Sequence, residues 1–200
     1  MGKIRIKIRL FEDFPSAVLF LLGFLAGMLL PNLLWKMQWR QETLTSFYLL
    51  GAFAGKGNTG KEYFEEVFRR RGSFFLLCAL CGFSIFGAPL AVISMIGIGV
   101  VTGAILTMSI LQFGFVGGAA GLSLLFPHYV VYLPVMMYFC RQVFDQSRDI
   151  WKNYGILPQK NSRYVLRIIL SGIVYMVGIL LEAFVNPWVV EKILSMLNFF

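Results

Sequence analysis

Charge is scarce in this chain. Asp, Glu, Lys and Arg together make up 14% of its 200 residues, where a soluble domain carries about a quarter. Hydrophobic residues make up 58%, and the mean hydropathy is +0.74. That balance excludes an ordinary soluble domain and points to an integral membrane protein. Acidic residues are scarcest, 10 against 18 Lys and Arg, for a formal net charge of +8. No nucleic-acid-binding motif accompanies the excess. The basic residues stand in short segments beside apolar runs, where positive charge faces the cytoplasm and anionic headgroups. The expected partner is therefore the lipid bilayer and not nucleic acid.

Ligands and nucleophiles are equally few. The chain has one histidine and three cysteines. Cys78-x-x-Cys81 has redox or zinc spacing, but a lone pair supplies only two of the four ligands a structural zinc takes. With Cys140 these thiols lie in or beside apolar segments and read as small apolar residues. Metal hydrolysis would need ligands beyond Glu182 and the thiols. Serine chemistry lacks a G-x-S-x-G elbow, and no nucleotide-binding glycine loop or internal repeat is present. No cofactor and no enzymatic activity are expected.

Glycine, by contrast, is abundant. Residues 97–128 contain no Lys, Arg, Asp or Glu and hold Gly97, Gly99, Gly103, Gly114, Gly117, Gly118 and Gly121. The pairs 99/103, 114/118 and 117/121 have the four-residue spacing that puts small residues on one helix face and lets another backbone approach. Close helix packing is the expected use; a pore, a hinge or a docking groove is the alternative. Pro127 and His128 break the run. His128 is the one side chain that titrates near neutrality unperturbed. Its expected role is structural, bonding a carbonyl freed by the break.

Along the chain, residues 1–14 alternate Lys3, Arg5, Lys7 and Arg9 with Ile4, Ile6, Ile8 and Leu10, an extended basic tail held in the cytoplasm. Pro15 opens a first span to about Trp35, with Gly23 and Gly27 at the same small-residue spacing. A cleavable signal peptide is not expected. Residues 36–72 form an outer loop containing an amphipathic surface helix at 61–71, with Tyr63, Phe64, Val67 and Phe68 along its apolar stripe. The apolar block 73–108 reads as two short spans turning at Gly87, Ala88 and Pro89. The block 110–140 crosses once, and the loop 141–163, rich in Arg and Lys, is cytoplasmic. A last span over 164–184 carries Glu182, and residues 188–200 form an amphipathic tail helix after a transmembrane domain spanning 15–187.

The fold class is therefore all-α, a polytopic integral membrane bundle of five spans, six as the alternative, with short amphipathic interfacial helices. The triplet Arg69, Arg70 and Arg71 then faces outward. Arg167 lies fifteen residues before Glu182, about 22 Å down the helix. Glu182 is left to interfacial water or to His128.

The segments Phe126-Pro127-His128-Tyr129-Val130-Val131-Tyr132-Leu133-Pro134 and Leu181-Glu182-Ala183-Phe184-Val185-Asn186-Pro187, with the glycine-rich span before them, resemble the stage II sporulation protein M family of bacterial membrane proteins. The likeness runs from 15 to 187 in the order and spacing of spans. Many members read P-H-G-x-x-E at the break, where this chain has Tyr129 and Tyr132. The resemblance implies a non-enzymatic, multi-pass anchor in the bacterial cell membrane that scaffolds forespore engulfment. The peptidoglycan-degrading partners, stage II sporulation proteins D and P, would carry the hydrolysis. Such partners would dock on the segments 61–71 and 188–200 by burying an apolar helix face. A transporter or channel component, built on the glycine-rich spans and the Pro127 break, is the alternative.

Overall fold

The computed structural model describes residues 15–34, 60–153, 161–189 and 192. The basic tail 1–14, most of the loop at 36–59 and the tail helix beyond 192 lie outside the described residues. Every regular element among those described is helical. They are α1 (Ser16–Leu34), α2 (Gly60–Cys81), α3 (Gly87–Leu125), α4 (His128–Lys152) and α5 (Asn161–Leu180), the last continued by a π-helical turn over Leu181–Val185.

Among the described residues, three stretches are long and apolar enough to cross a membrane: Ser16–Leu33, Gly87–Leu111 and Ser162–Val189. Their outward faces are apolar too, with Leu21, Leu25 and Leu29 exposed on α1 and Leu166, Ile169, Leu170 and Ile173 exposed on α5. Surface of that kind is stable against lipid and costly against water. These helices mark a membrane protein.

Two expected boundaries move. The amphipathic segment 61–71 and the apolar residues after it form one helix, α2, because Gly72 and Ser73 weaken a helix without stopping it and no proline intervenes. Likewise α4 runs through Arg141 to Lys152, so the expected loop at 141–163 is helical in its first half. There Asp145 lies 3.9 Å from both Arg141 and Arg148, at helical spacings that favour opposite charges. The break between α2 and α3 falls at residues 82–86. Pro89 sits in the first turn of α3, where a missing N–H removes no helical bond.

Contacts fix the helix directions. Added Cβ atoms at Gly23 and Gly27 would run into the Ile96 and Val100 carbonyls, and ones at Gly99 and Gly103 into those of Phe20 and Phe24. Residue numbers rise together across this seam, so α1 and the start of α3 run parallel with their backbones touching. At one end of the bundle the end of α2, the start of α3, the end of α4 and the start of α5 meet. Tyr164 donates to Ala79 O at 2.8 Å, and Ser147 donates to Ser84 O and Ile85 O at 2.8 and 3.0 Å and accepts from Ala88 N at 2.9 Å. Hence α2 and α4 run one way, while α1, α5 and the start of α3 run the other. Arg148, Lys152, Arg163 and Arg167 lie toward this end, which we call the basic end.

The glycine-rich run does not continue straight. Gly114 has φ 64° and ψ −146°, a conformation that suits glycine alone. Beyond it the chain doubles back. A Cβ on Gly121 would stand 2.8 Å from Ser109 Oγ, and one on Gly118 3.3 Å from Ile110 Cγ1, although twelve residues of straight helix between 109 and 121 would separate them by about 18 Å. Residues 115–125 are thus a short return arm lying on the end of the first arm.

The core lies between α2, α3, α4 and α5 and centres on Phe139, Met95, Cys78, Cys140, Val143 and Ile179. Phe75 stacks on Phe139 at 4.1 Å and on Tyr175 at 5.0 Å. The thiols of Cys78 and Cys140 are buried, with Cys78 Sγ 3.7 Å from Ser94 Oγ.

Candidate functional site

Opposite the basic end, α2, α4 and α5 converge on one carboxylate. Glu182 sits in the π-helical turn, a local widening that recurs at functional positions. Arg71 donates to it through Nε to Oε2 at 3.2 Å and through Nη2 to Oε1 at 3.0 Å. Tyr132 donates its hydroxyl to Oε2 at 2.7 Å. The guanidinium also lies over the Tyr132 ring, 5.4 Å from its centre, a favourable place for a cation. Tyr132 is packed in turn against Tyr175, ring centres 4.8 Å apart.

The Glu182 side chain is 12% exposed, so its charge is stable only because a fork of two N–H groups and a phenol meets it. Both oxygens are engaged. This suits a brace between three helices and does not suit a free proton acceptor. Interfacial water, the partner expected for Glu182, is replaced by Arg71, a residue expected to face outward as one of a basic triplet. Arg167, excluded as a partner by its helical distance, donates to Gln142 at 2.7 Å instead.

His128 is buried beside this brace, its ring edge-on to Tyr129 and Tyr132 at 5.2 and 5.6 Å. Its Nδ1 is buried and meets no hydrogen-bond partner among the described residues. Carbonyls at the break at Pro127 face the Asn186 side chain. With the Asn186 amide nitrogen turned toward them, it reaches Phe126 O at 2.9 Å and Ser123 O at 3.2 Å. The break thus has a polar seal in which Asn186 takes part.

The stripe on α2 turns inward. Val67 is 8% exposed and belongs to the core, against which Tyr63 and Phe64 are packed. Phe64 stacks on Phe184 of α5 at 5.9 Å. Burial pushes the Tyr63 phenol up, and the negative charge of Glu182 adds to this. Of the four apolar residues expected to dock a partner, Phe68 alone stays open, at 42% exposure. The outward face of the first half of α2 is otherwise charged, with Lys61, Glu62, Glu65, Glu66, Arg69 and Arg70 exposed.

The glycines divide by use. Gly99 and Gly103 form the packing seam with Gly23 and Gly27, as the spacing predicts. Gly118 and Gly121 pack inside α3, against its own first arm, and Gly114 makes the reversal. Gly97 touches nothing within 4 Å of where a Cβ would stand and borders a cavity. Gly117 is helical, and its surroundings are outside the described side chains.

Arg71, Tyr132, Asn186 and Ser147 are the residues that sequence reasoning missed. An arginine closing the basic triplet at the boundary between the charged and apolar halves of α2, with a lone carboxylate near the far end of the last span, was the one available signal for the first. Among the described residues no three metal-ligating side chains cluster. Compared with family models, with curated proteins and with solved structures, the chain finds no match.

Proposed function

We propose that this chain is a non-catalytic scaffold in a bacterial cell membrane that crosses it five times and positions other proteins at its surface. The resemblance noted above suggests the partners: peptidoglycan-degrading enzymes similar to stage II sporulation proteins D and P, held in place during forespore engulfment. The observation that carries this reading is the Arg71–Glu182–Tyr132 brace. It fixes the charged half of α2 against α5 at the end away from the basic one and leaves Glu62, Glu65, Phe68 and Arg69 facing outward as a rigid patch. Positive charge holds the basic end in the cytoplasm, so the patch faces the cell wall. The alternating directions of the helices support five crossings, with the apolar parts of α2 and α4 supplying the two shorter ones.

Deleting the gene is expected to scatter the wall hydrolases over the sporangium while leaving their purified activity unchanged. Peptidoglycan cleavage by the isolated protein would refute the scaffold. In a background without the native cysteines, single cysteines at Lys61 and Lys152 are expected to label from opposite sides of the membrane. Labelling from one side would refute five crossings.

A second reading, a transporter or channel component, draws on the glycine-rich span with its reversal at Gly114 and on the break at Pro127 with the buried His128 beside it, since broken helices form substrate sites in transporters. Flux into liposomes that His128→Ala lowers would favour it. No flux from either form removes it.

A further inference from the structure

Between α2, α3 and α4 lies a cavity of about 490 Å³, within the ~300–1,000 Å³ range of sites that take small molecules. Its wall is apolar over most of its area, with Gly97, Val101, Leu133 and Met136 among the lining residues, and two guanidinium groups, Arg70 and Arg71, stand at one side. No carboxylate is among the lining residues. Gly97 keeps the cavity open, since a side chain there would project into empty space. Val101 and its neighbour on the rim, Ile93, are half or more exposed. The cavity is therefore reached sideways, through the apolar face of α3.

The two arginines differ in what they have left to give. Arg71 is committed to Glu182. Arg70 meets Glu66 at 2.9 Å, but that pair is widely exposed, at 77% and 57%, and an exposed pair one helical turn apart holds its partners only weakly. A phosphate offering two oxygens to the Arg70 fork makes the stronger bond. Arg70 also stands where the charged half of α2 gives way to its apolar half, the level at which a lipid headgroup meets a membrane helix.

We propose that this cavity binds one anionic phospholipid from the surrounding leaflet, an acyl chain lying along Gly97, Val101, Leu133 and Met136 and the phosphate at Arg70. A bilayer lipid fits better than a soluble anion because the opening is lateral and apolar, and better than a neutral lipid because Arg70, held only by an exposed Glu66, brings positive charge to its edge.

The test uses the full chain in a neutral detergent, with melting temperature and lipid retained in native mass spectrometry as readouts. Phosphatidylglycerol is expected to raise the melting temperature and to remain bound. Phosphatidylcholine should do so less, and glycerol 3-phosphate not at all. Gly97→Leu, which fills the cavity and favours helix, should abolish both responses to phosphatidylglycerol. Should that variant not fold, Val101→Trp closes the rim to the same end. Arg70→Gln should retain lipid but erase the preference for phosphatidylglycerol. Equal responses to the two lipids in the parent, an equal shift from glycerol 3-phosphate, or an undiminished shift in a folded cavity-filled variant would each overturn the proposal.

Discussion

The two ends of the bundle are tied by different chemistry. At the basic end, Ser147 and Tyr164 use neutral hydroxyls to engage backbone groups around residues 79–88, joining α2, α3, α4 and α5 without any charge. At the other end, α2, α4 and α5 are joined through the single carboxylate of Glu182. Hydroxyl-to-backbone bonds distribute the load over several modest contacts, each worth about 1 kcal/mol. A buried ion pair concentrates it, because either partner alone is a stranded charge. The difference implies a bundle that yields gradually at one end and abruptly at the other.

The largest effect should come from breaking the charged end. Arg71→Met leaves Glu182 buried without its cation and is expected to cost about 3–5 kcal/mol, read as a loss of stability in denaturant titrations of the detergent-solubilised protein. Glu182→Leu should cost less. The Arg71 side chain it strands is 37% exposed against 12% for Glu182, and its long stem lets the charge reach water. At the neutral end, Ser147→Ala removes the acceptor for Ala88 N and the donor to two carbonyls, for an expected loss of about 1–3 kcal/mol in the same titration. Smallest is Gly114→Ala. Forcing a side chain into this glycine-only backbone conformation costs about 1–3 kcal/mol locally, and the return arm it releases lies outside both ties, so limited proteolysis near Phe115 should increase more than global stability falls.

Much of the helical layout was legible because it depends on local pattern. The first and last spans follow from unbroken apolar length. The α1–α3 seam follows from small residues four apart on both partners. The break at Pro127 follows from proline chemistry. What escaped depends on sequence separation or on backbone geometry. Arg71 and Glu182 are 111 residues apart, and nothing near either one marks the other. Ser147 is one hydroxyl in a charged stretch, indistinguishable in sequence from a solvated serine, yet it is fully buried. Glycines at 114, 117, 118 and 121 share the four-residue spacing of a packing face, but spacing cannot tell a face that meets another helix from one that meets its own chain after a reversal. The stripe of Tyr63, Phe64 and Val67 was correctly apolar. Its partner is the same molecule, because α2 continues into the core and carries the stripe with it.

Arg71 and Glu182 act as one unit across α2 and α5. A double-mutant cycle on Arg71→Met and Glu182→Leu, read by denaturant titration, tests this coupling most directly. The double variant is expected to be less destabilised than the sum of the two single variants by about 2–3 kcal/mol. Single costs that simply add, within about 0.3–0.5 kcal/mol, would show that the two charges do not hold the helices together.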